Sequence, residues 1–332
     1  MKRTKVSGVV TALLAGLIVA ASVSPAAADF TPQVKDIVGT GSDTSQFAMN
    51  TLADGVRSGG SFTPGYNIGA SARMVSFDAI TLAGVTNDPI VLKVGTPSIL
   101  RPNGSTAGKA LLFGATNNVN ANFARSSSSL SATEAAAGLQ LYPFATDGLK
   151  LAVKATGSNA PAAITPAQMV QIYNGTVSNW SQIGGTDGVI KPLIPQPGSG
   201  SRAFFVAQLK AANGGTDVVL APTVTNTQEN EDVDIANNPN AVAPFSTGRA
   251  LINPTIRLTG GFSATRALYN VVRNADVNKP FVAALFGPSG FVCSPGATPI
   301  IAAAGFSQLA SSLDGGVCGE KTQAATTNFT VN

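Results

Sequence analysis

The chain has 332 residues, of which 21 are Lys or Arg and 17 are Asp or Glu, and it contains no histidine. The absence of histidine excludes Ser-His-Asp and Cys-His nucleophile systems and histidine-based zinc or iron sites. Lys2, Arg3 and Lys5 supply much of the net positive charge, and without them the basic count falls from 21 to 18 against 17 acidic residues. That balance does not indicate nucleic acid or an acidic membrane as a partner.

The N-terminal segment has the pattern of an export signal. Its positive start precedes an apolar run over residues 9–23 and three small residues, Ala26, Ala27 and Ala28, that a signal peptidase accepts. We therefore predict that residues 1–28 are a signal peptide cleaved before Asp29. A transmembrane anchor is the alternative, but the apolar run is shorter than the ~20 residues that span a bilayer. No cysteine stands at the cut to carry a lipid anchor. We expect a secreted protein, extracellular or cell-wall associated, with no membrane span in the mature chain.

Short strand-like and helix-like runs alternate along the mature chain, which predicts an α/β fold. The strand-like runs cover residues 37–39, 90–94, 149–153 and 189–192. The helix-like runs cover residues 44–53, 165–173 and 202–211. Thr165 followed by Pro166 predicts a helix start, and Ser131 with Glu134 predicts a capping box at another.

Four segments place a Gly- or Ser-rich turn between a strand-like and a helix-like run: residues 39–44, 103–108, 125–129 and 197–202. The first amides of a helix are unpaired and the helix dipole favours an anion there, while Ser and Thr hydroxyls add uncharged donors. Arg125 and Arg202 lie beside two of the turns and could clamp an oxyanion through paired hydrogen bonds. Each turn is also typical of an ordinary helix cap, so the pattern alone leaves open whether the four form one site. None matches GxxxxGK[ST], which argues against a P-loop nucleotide site.

Residues 123–209 resemble the substrate-binding proteins of phosphate ABC transporters, in particular a divergent secreted member of the actinobacterial type. The motifs that carry the resemblance are Ala124-Arg125-Ser126-Ser127-Ser128-Ser129-Leu130-Ser131, Tyr142-Pro143-Phe144, Ile172-Tyr173-Asn174-Gly175, Asn179-Trp180 and Gly198-Ser199-Gly200-Ser201-Arg202. The resemblance implies the α/β periplasmic-binding-protein type 2 fold, in which two lobes joined by crossing strands close about a hinge. Lobe 1 would be discontinuous, over residues 29–145 and 246–332, and lobe 2 would cover residues 146–245.

The resemblance also implies a ligand, a small phosphate-like oxyanion held in the cleft between the lobes, and an ABC permease as a further partner. It implies no cofactor, no metal and no catalytic residue. The resemblance and the turn pattern together assign ligand binding to Asp43, Thr44, Ser105, Thr106, Ser126, Ser127, Ser199, Gly200, Ser201 and Arg202.

The chain departs from this family at two positions. The aspartate that accepts the proton of hydrogen phosphate in the family is replaced by Ser127, and Pro195 stands about where the family has an arginine. We hypothesise that Asp43 accepts a ligand proton and that Arg202 pairs with the ligand charge. The alternatives are an N-cap role for Asp43 and a solvated side chain for Arg202.

Two other functions stay open at this stage. A secreted or wall-associated interaction protein could keep the fold and bind another ligand or none, and the loss of the family aspartate at Ser127 favours that alternative. A secreted hydrolase built on the same turns would lack an evident nucleophile and base. We therefore predict a binding protein rather than an enzyme.

The two cysteines and one acidic stretch complete the candidate features. Cys293 and Cys318 are the only cysteines, and in an oxidising compartment we expect them to form a disulfide. A metal pair or a redox couple is disfavoured because the chain has no CxxC motif and no histidine. The acidic residues Glu229, Glu231, Asp232 and Asp234 match no EF-hand spacing, so we expect a solvated loop rather than a calcium site.

Overall fold

The structure is a computed structural model, and it describes residues 31–81, 83–309, 317–323 and 330–331. The predicted signal peptide, residues 1–28, and the predicted cut before Asp29 lie outside the described residues. Among the described residues, no helix is both long enough and apolar enough to cross a bilayer.

The strands of the described chain are mostly short, and two are long. They are β1 (Ile37–Gly41), β2 (Val56–Ser58), β3 (Ser61–Thr63), β4 (Met74–Ser76), β5 (Pro89–Ile90), β6 (Ile99–Leu100), β7 (Phe123–Ser126), β8 (Leu139–Lys154), β9 (Ala163–Ile164), β10 (Lys191–Pro195), β11 (Thr225–Thr227), β12 (Ala241–Ser246), β13 (Ile256–Leu258), β14 (Gly260–Gly261), β15 (Ala264–Arg273), β16 (Ser307–Gln308) and β17 (Thr330–Val331).

The helices lie between these strands. They are α1 (Gln46–Asp54), α2 (Ser105–Ala110), α3 (Ala132–Ala136), α4 (Pro166–Tyr173), α5 (Gly200–Ala212), α6 (Val233–Ala236), α7 (Thr247–Ala250), α8 (Pro280–Leu285) and α9 (Thr298–Ala303). Single 3₁₀ turns occur at Gly114–Thr116, Trp180–Ile183, Asn274–Asp276 and Phe291–Cys293.

Helix starts follow the local sequence closely. Thr165 caps α4, and its hydroxyl accepts the amide of Gln168 at 3.2 Å, as the Thr-Pro signal predicts. Ser131 and Glu134 form the predicted capping box of α3. The strand-like run at residues 90–94 is only partly confirmed, because β5 ends at Ile90.

The main sheet consists of two parallel groups joined by antiparallel strands. Its order is β11-β10-β12-β8-β15-β7-β1-β4, with β13 and β16 paired to β8 and β17 to β15. Strands β1, β4 and β7 pair in parallel, and so do β10, β11 and β12. The long strands β8 and β15 pair antiparallel from Ala264↔Leu149 to Arg273↔Leu139 and so run from one group to the other.

Separate apolar cores lie at the two ends of these long strands. One contains Phe123, Phe144 and Phe286 between α1, α8 and α9. The other contains Trp180 and Phe204, with α4 and α5 packed on the sheet. Trp180 and Phe204 are both fully buried. Burial of one such side chain contributes about 1.5–3 kcal/mol, so each end holds its own stabilising core. The lobe boundaries at residues 145 and 246 stay predictions.

The predicted disulfide is present. Cys293 and Cys318 are bonded, with their Cα atoms 5.7 Å apart and 25 positions separating them in sequence. Closure of a loop of this length contributes roughly 3 kcal/mol in the chain-entropy description. The bond fastens the segment around Cys318 to Cys293. Cys318 is itself part of the core that contains Phe144, and its Sγ lies 3.8 Å from the Phe144 carbonyl oxygen.

Candidate ligand-binding site

Hydroxyl groups from all four predicted turns meet at one buried point, which we call the hydroxyl cluster: Ser42, Thr44, Ser105, Ser127 and Ser201. The Ser42 hydroxyl donates to Ser127 Oγ at 3.1 Å, and Ser105 Oγ lies 3.5 Å from the same atom. Thr44 Oγ1 lies 3.5 Å from Ser127 Oγ and 3.4 Å from Ser201 Oγ. Every member is at most 1% exposed. Residues as far apart in sequence as 44 and 201 thus share one buried polar site.

Strand pairing explains why the first and third turns meet. Strands β1 and β7 are parallel neighbours, with Gly41 opposite Arg125, so the turns after them leave the same edge of the sheet. Arg125 is fully buried and fixes the first turn, since Nε donates to the Ser42 carbonyl oxygen at 3.0 Å and Nη1 to Ser76 Oγ at 2.6 Å. Arg125 therefore supports the cluster through the backbone.

The second and fourth turns touch through their glycines. The amide of Thr106 donates to the carbonyl oxygen of Gly198 at 3.1 Å. A Cβ atom at Gly200 would lie 2.2 Å from Ser127 Oγ and 2.5 Å from Ser105 Oγ, so only glycine lets the start of α5 approach these hydroxyls. The backbone of the fourth turn is thereby placed against the first three.

A buried ion pair lies beneath the hydroxyls. Arg266, on β15, donates from Nη2 to Ser201 Oγ at 2.8 Å and to Thr44 Oγ1 at 3.3 Å. The same nitrogen lies 2.9 Å from Oδ2 of Asp147, on β8, and both side chains are at most 1% exposed. Burial raises the pKa of Asp147, and Arg266 opposes that rise. Arg266 brings positive charge to the cluster, and sequence analysis did not select it. An arginine near the start of the otherwise mostly apolar strand β15 was the available signal.

A second carboxylate also touches the hydroxyl cluster. Glu229 Oε1 accepts the amide of Ser201 at 3.0 Å and the hydroxyl of Thr44 at 3.0 Å, and the Glu229 side chain is fully buried. Its other oxygen, Oε2, is buried without a hydrogen-bond partner among the described residues. The prediction of a solvated acidic loop was therefore wrong for Glu229, because long-range donors pull it inside.

Asn230, the residue after Glu229, is also buried and also bonds to the first turn. Asn230 has φ of 54°, a left-handed conformation that asparagine tolerates better than most residues. Its Nδ2 donates to Asp43 Oδ1 at 3.2 Å and to Thr44 Oγ1 at 3.1 Å, and its Oδ1 accepts the amide of Ser246 at 3.0 Å.

Within the described residues, no group of three or more Cys, Asp or Glu side chains is placed to hold a metal ion.

Asp43 is fully buried beside the cluster. Its pKa is raised to about 7, chiefly because burial disfavours the charged form. The charges of Glu229 and Glu231 add to the rise, while Arg249 and the hydrogen bond from Asn230 oppose it. Arg249 Nη2 lies 4.0 Å from Asp43 Oδ1. Helix α1 starts after Ser45 with no side-chain cap bond, so Asp43 is not its N-cap. The alternative reading of Asp43 as an N-cap was wrong.

The remaining predicted ligand residues lie around the cluster rather than in it. Ser199 caps α5, and its Oγ accepts the amide of Arg202 at 3.1 Å. The guanidinium of Arg202 donates to the Pro195 carbonyl oxygen at 2.7 Å and to Asn226 Oδ1 at 2.8 Å, both outside the cluster. The Ser126 hydroxyl donates to the Ser128 carbonyl oxygen, and Thr106 is exposed. Ligand binding by these residues stays a prediction.

Comparison with known proteins connects this geometry to a family. A family model described as a PBP superfamily domain matches residues 26–282. The chain belongs to the PBP superfamily. No curated protein matches it in a search by sequence.

Solved structures share the PBP fold at low sequence identity. An ABC-type phosphate transport receptor from Vibrio cholerae is 21% identical with a TM-score of 0.53, covering 82% of this chain and 99% of its own. A putative phosphate ABC transporter substrate-binding protein from Clostridium perfringens, with bound phosphate, is 16% identical with a TM-score of 0.56 over 82% and 99%. A phosphate binding protein from Stenotrophomonas maltophilia is 14% identical with a TM-score of 0.53 over 85% and 96%. The predicted α/β periplasmic-binding-protein type 2 fold is confirmed.

Proposed function

We propose that this PBP-superfamily protein is a solute-binding protein that captures a small oxyanion, phosphate in particular, at the hydroxyl cluster. The observation that carries the proposal is the meeting of hydroxyls from four turns above the buried guanidinium of Arg266. Hydroxyls and the first amides of helices bind tetrahedral oxyanions through directed hydrogen bonds, and one arginine adds charge-assisted bonds.

The proposal assigns roles to groups that already lie together. Oxygens of the ligand would accept hydrogen bonds from the hydroxyls of Thr44, Ser105, Ser127 and Ser201 and from the amide of Gly200. Each of these hydroxyls is buried, so a bound oxyanion would be shielded from water. Hydrogen bonds in the protein interior are stronger than those in water.

Two further residues would pair with the negative charge of the ligand and accept its proton. Arg266, rather than Arg202, would pair with the ligand charge, since the guanidinium of Arg202 forms its bonds outside the cluster. Asp43 would accept a ligand proton in place of the aspartate replaced by Ser127, and its pKa of about 7 suits a shared proton near neutral pH. Sulfate carries no proton at that pH, so a carboxylate in the site would disfavour it.

The protein would act outside the cell and serve uptake or scavenging. The predicted signal peptide, residues 1–28, supports secretion. The fold shared with a phosphate transport receptor and with a putative ABC transporter substrate-binding protein supports an ABC permease as a partner. A binding function rather than catalysis agrees with the superfamily and with the absence of histidine from the sequence.

Two observations favour a second function, an interaction protein that keeps the fold and binds another ligand or none. Glu229 uses two donors of the cluster, and Ser127 lacks the proton-accepting carboxylate of the family. Both changes would weaken the binding of an anion.

Equilibrium dialysis with radiolabelled phosphate tests the proposal against this alternative. The purified protein is first exchanged into phosphate-free buffer, and unlabelled phosphate or sulfate is added as competitor. We expect saturable binding of one phosphate per chain that phosphate displaces and sulfate does not. Folded protein that retains no label would reject phosphate binding and favour the interaction protein.

A further inference from the structure

Glu229 lies where the proposed ligand would need to bind. Its Oε1 is 3.0 Å from the amide nitrogen of Ser201 and 3.0 Å from the hydroxyl oxygen of Thr44. Ser201 is the second residue of the thirteen-residue helix α5, where the backbone amides and the helix dipole favour negative charge. The carboxylate thus takes, within the chain, the Thr44 hydroxyl that the proposed ligand would use and an amide at the start of α5.

We propose that Glu229 is an internal occupant of the oxyanion site, which an incoming oxyanion must displace in order to bind. The inference rests on the proposed function and adds a regulation of the same site. The measured affinity for the oxyanion would then depend on how much more strongly the oxyanion binds these donors than the Glu229 carboxylate does.

Charge in the site requires displacement rather than joint occupancy. Glu229 Oε2 and Asp43 Oδ2 are buried without hydrogen-bond partners among the described residues. Two of the nearby cations already have carboxylate partners, since Arg266 pairs with Asp147, and Arg249 lies 4.0 Å from Asp43 and 3.6 Å from Glu231. A third, Arg125, gives its hydrogen bonds to the carbonyl oxygens of Ser42 and Gly41 and to Ser76 Oγ. A further oxyanion beside a charged Glu229 would therefore add repulsion between like charges in a buried site.

The position of Glu229 allows it to leave without loss of a core element. It lies in the segment between β11 (Thr225–Thr227) and α6 (Val233–Ala236), and its amide donates to Gln196 Oε1 at 2.7 Å. Because this attachment uses the backbone amide, displacement would move the side chain and not the attachment. The loop can therefore stay in place while its side chain yields the donors.

The same segment is tied to the turn that carries Ser105. Gln228 and Asn103 exchange two side-chain hydrogen bonds, at 3.0 and 3.2 Å, and Gln196 Nε2 donates to Asn103 Oδ1 at 3.0 Å. These bonds hold the base of the Glu229 segment against the second turn. The competing carboxylate is therefore held close to the donors that it would have to release.

Phosphate titration of Glu229→Gln tests the inference. Glutamine keeps the length of the side chain and one oxygen that can accept from Ser201 and Thr44, but it removes the negative charge. We expect phosphate to bind about tenfold more tightly than in the wild type, because a like charge at close range in a buried site is removed. Asp217→Asn is the control, since Asp217 is 81% exposed, pairs with Lys210 and changes net charge equally.

The outcomes separate the inference from the proposed function. Tighter binding by Glu229→Gln with unchanged binding by Asp217→Asn supports displacement. Unchanged or weaker binding by Glu229→Gln, with a wild type that binds, overturns displacement alone, and weaker binding would mean that Glu229 accepts a ligand proton. No binding by either protein, both folded by circular dichroism, overturns the proposed function and the inference together.

If the glutamine variant fails to fold, Glu229→Asp replaces it. The shorter carboxylate cannot span the same distance, and affinity equal to wild type would contradict displacement.

Discussion

Arg266 and Asp147 are register partners on the two long strands, and their side chains form a fully buried ion pair, with Nη2 of Arg266 2.9 Å from Oδ2 of Asp147. The pair lies on the strands that run between the two cores. The same Nη2 also donates to Ser201 Oγ and Thr44 Oγ1. The element that joins the two ends of the molecule thus also places positive charge under the hydroxyl cluster.

Removal of Arg266 should destabilise the fold strongly. We expect Arg266→Met to lower the free energy of unfolding by about 3–5 kcal/mol, because Asp147 would be left as an unpaired buried charge. The double variant Arg266→Met with Asp147→Asn should lose less than the sum of the two single variants, since it leaves no isolated charge. Urea denaturation of all four proteins measures this coupling. Additive losses would show that the pair contributes no mutual stabilisation.

Asp43 should make the stability of the protein fall as pH rises. Its folded-state pKa of about 7 lies above the ordinary 3.8, so between these values the folded state holds a proton that the unfolded state releases. Stability from this group is fully present below pH 3.8 and is lost as pH rises through 7. Relative to wild type, Asp43→Asn should therefore gain stability between pH 4 and pH 8, by on the order of 4 kcal/mol.

Denaturation of wild type and Asp43→Asn across that pH range checks the prediction. Asp78 and Asp147 also have raised pKa values from burial, but neither is among the groups that shift the pKa of Asp43, so their contributions cancel in the comparison. A stability difference that does not change with pH would contradict a raised pKa at Asp43.

Gly200 should be required for the assembly of the cluster. In Gly200→Ala the added methyl would meet Ser127 Oγ at 2.2 Å and Ser105 Oγ at 2.5 Å, so the start of α5 must move away from the second and third turns. We expect phosphate affinity to fall by about tenfold or more and stability to fall by about 1–3 kcal/mol, as in other overpacked sites. Val206→Ala, a 40% exposed position on the same helix, is the control. Wild-type affinity in Gly200→Ala would show that these hydroxyls do not bind the ligand together.

Sequence predicted the features of this protein that depend on neighbours along the chain. The Thr165 cap, the Ser131–Glu134 capping box and the turn after β1 follow from residues within a few positions of one another. The order of strands and turns carried enough information to indicate the superfamily fold.

The residues that sequence reasoning missed depend on long-range contacts. Glu229 is flanked by polar and acidic residues, a pattern typical of exposed loops, and only its bonds to Ser201 and Thr44 explain its burial. Arg202 follows directly after the fourth turn, yet the rotation of α5 directs its guanidinium to Pro195 and Asn226, and Arg266 takes its place at the cluster. Arg266 reaches the cluster because of the register between β8 and β15, which pairs it with Asp147. The sequence does not specify that register.

The most direct test of the central claim, that the hydroxyl cluster is an oxyanion site, is calorimetric titration of wild type, Ser201→Ala and Thr259→Val with phosphate. Thr259 also has a buried hydroxyl with one hydrogen bond, to the Leu151 carbonyl oxygen at 3.2 Å, but it lies outside the cluster. We predict saturable binding by wild type and Thr259→Val and affinity about tenfold weaker in Ser201→Ala, because a buried donor to the ligand is lost. Equal affinity in all three proteins, or no saturable heat from folded wild type, would contradict the account.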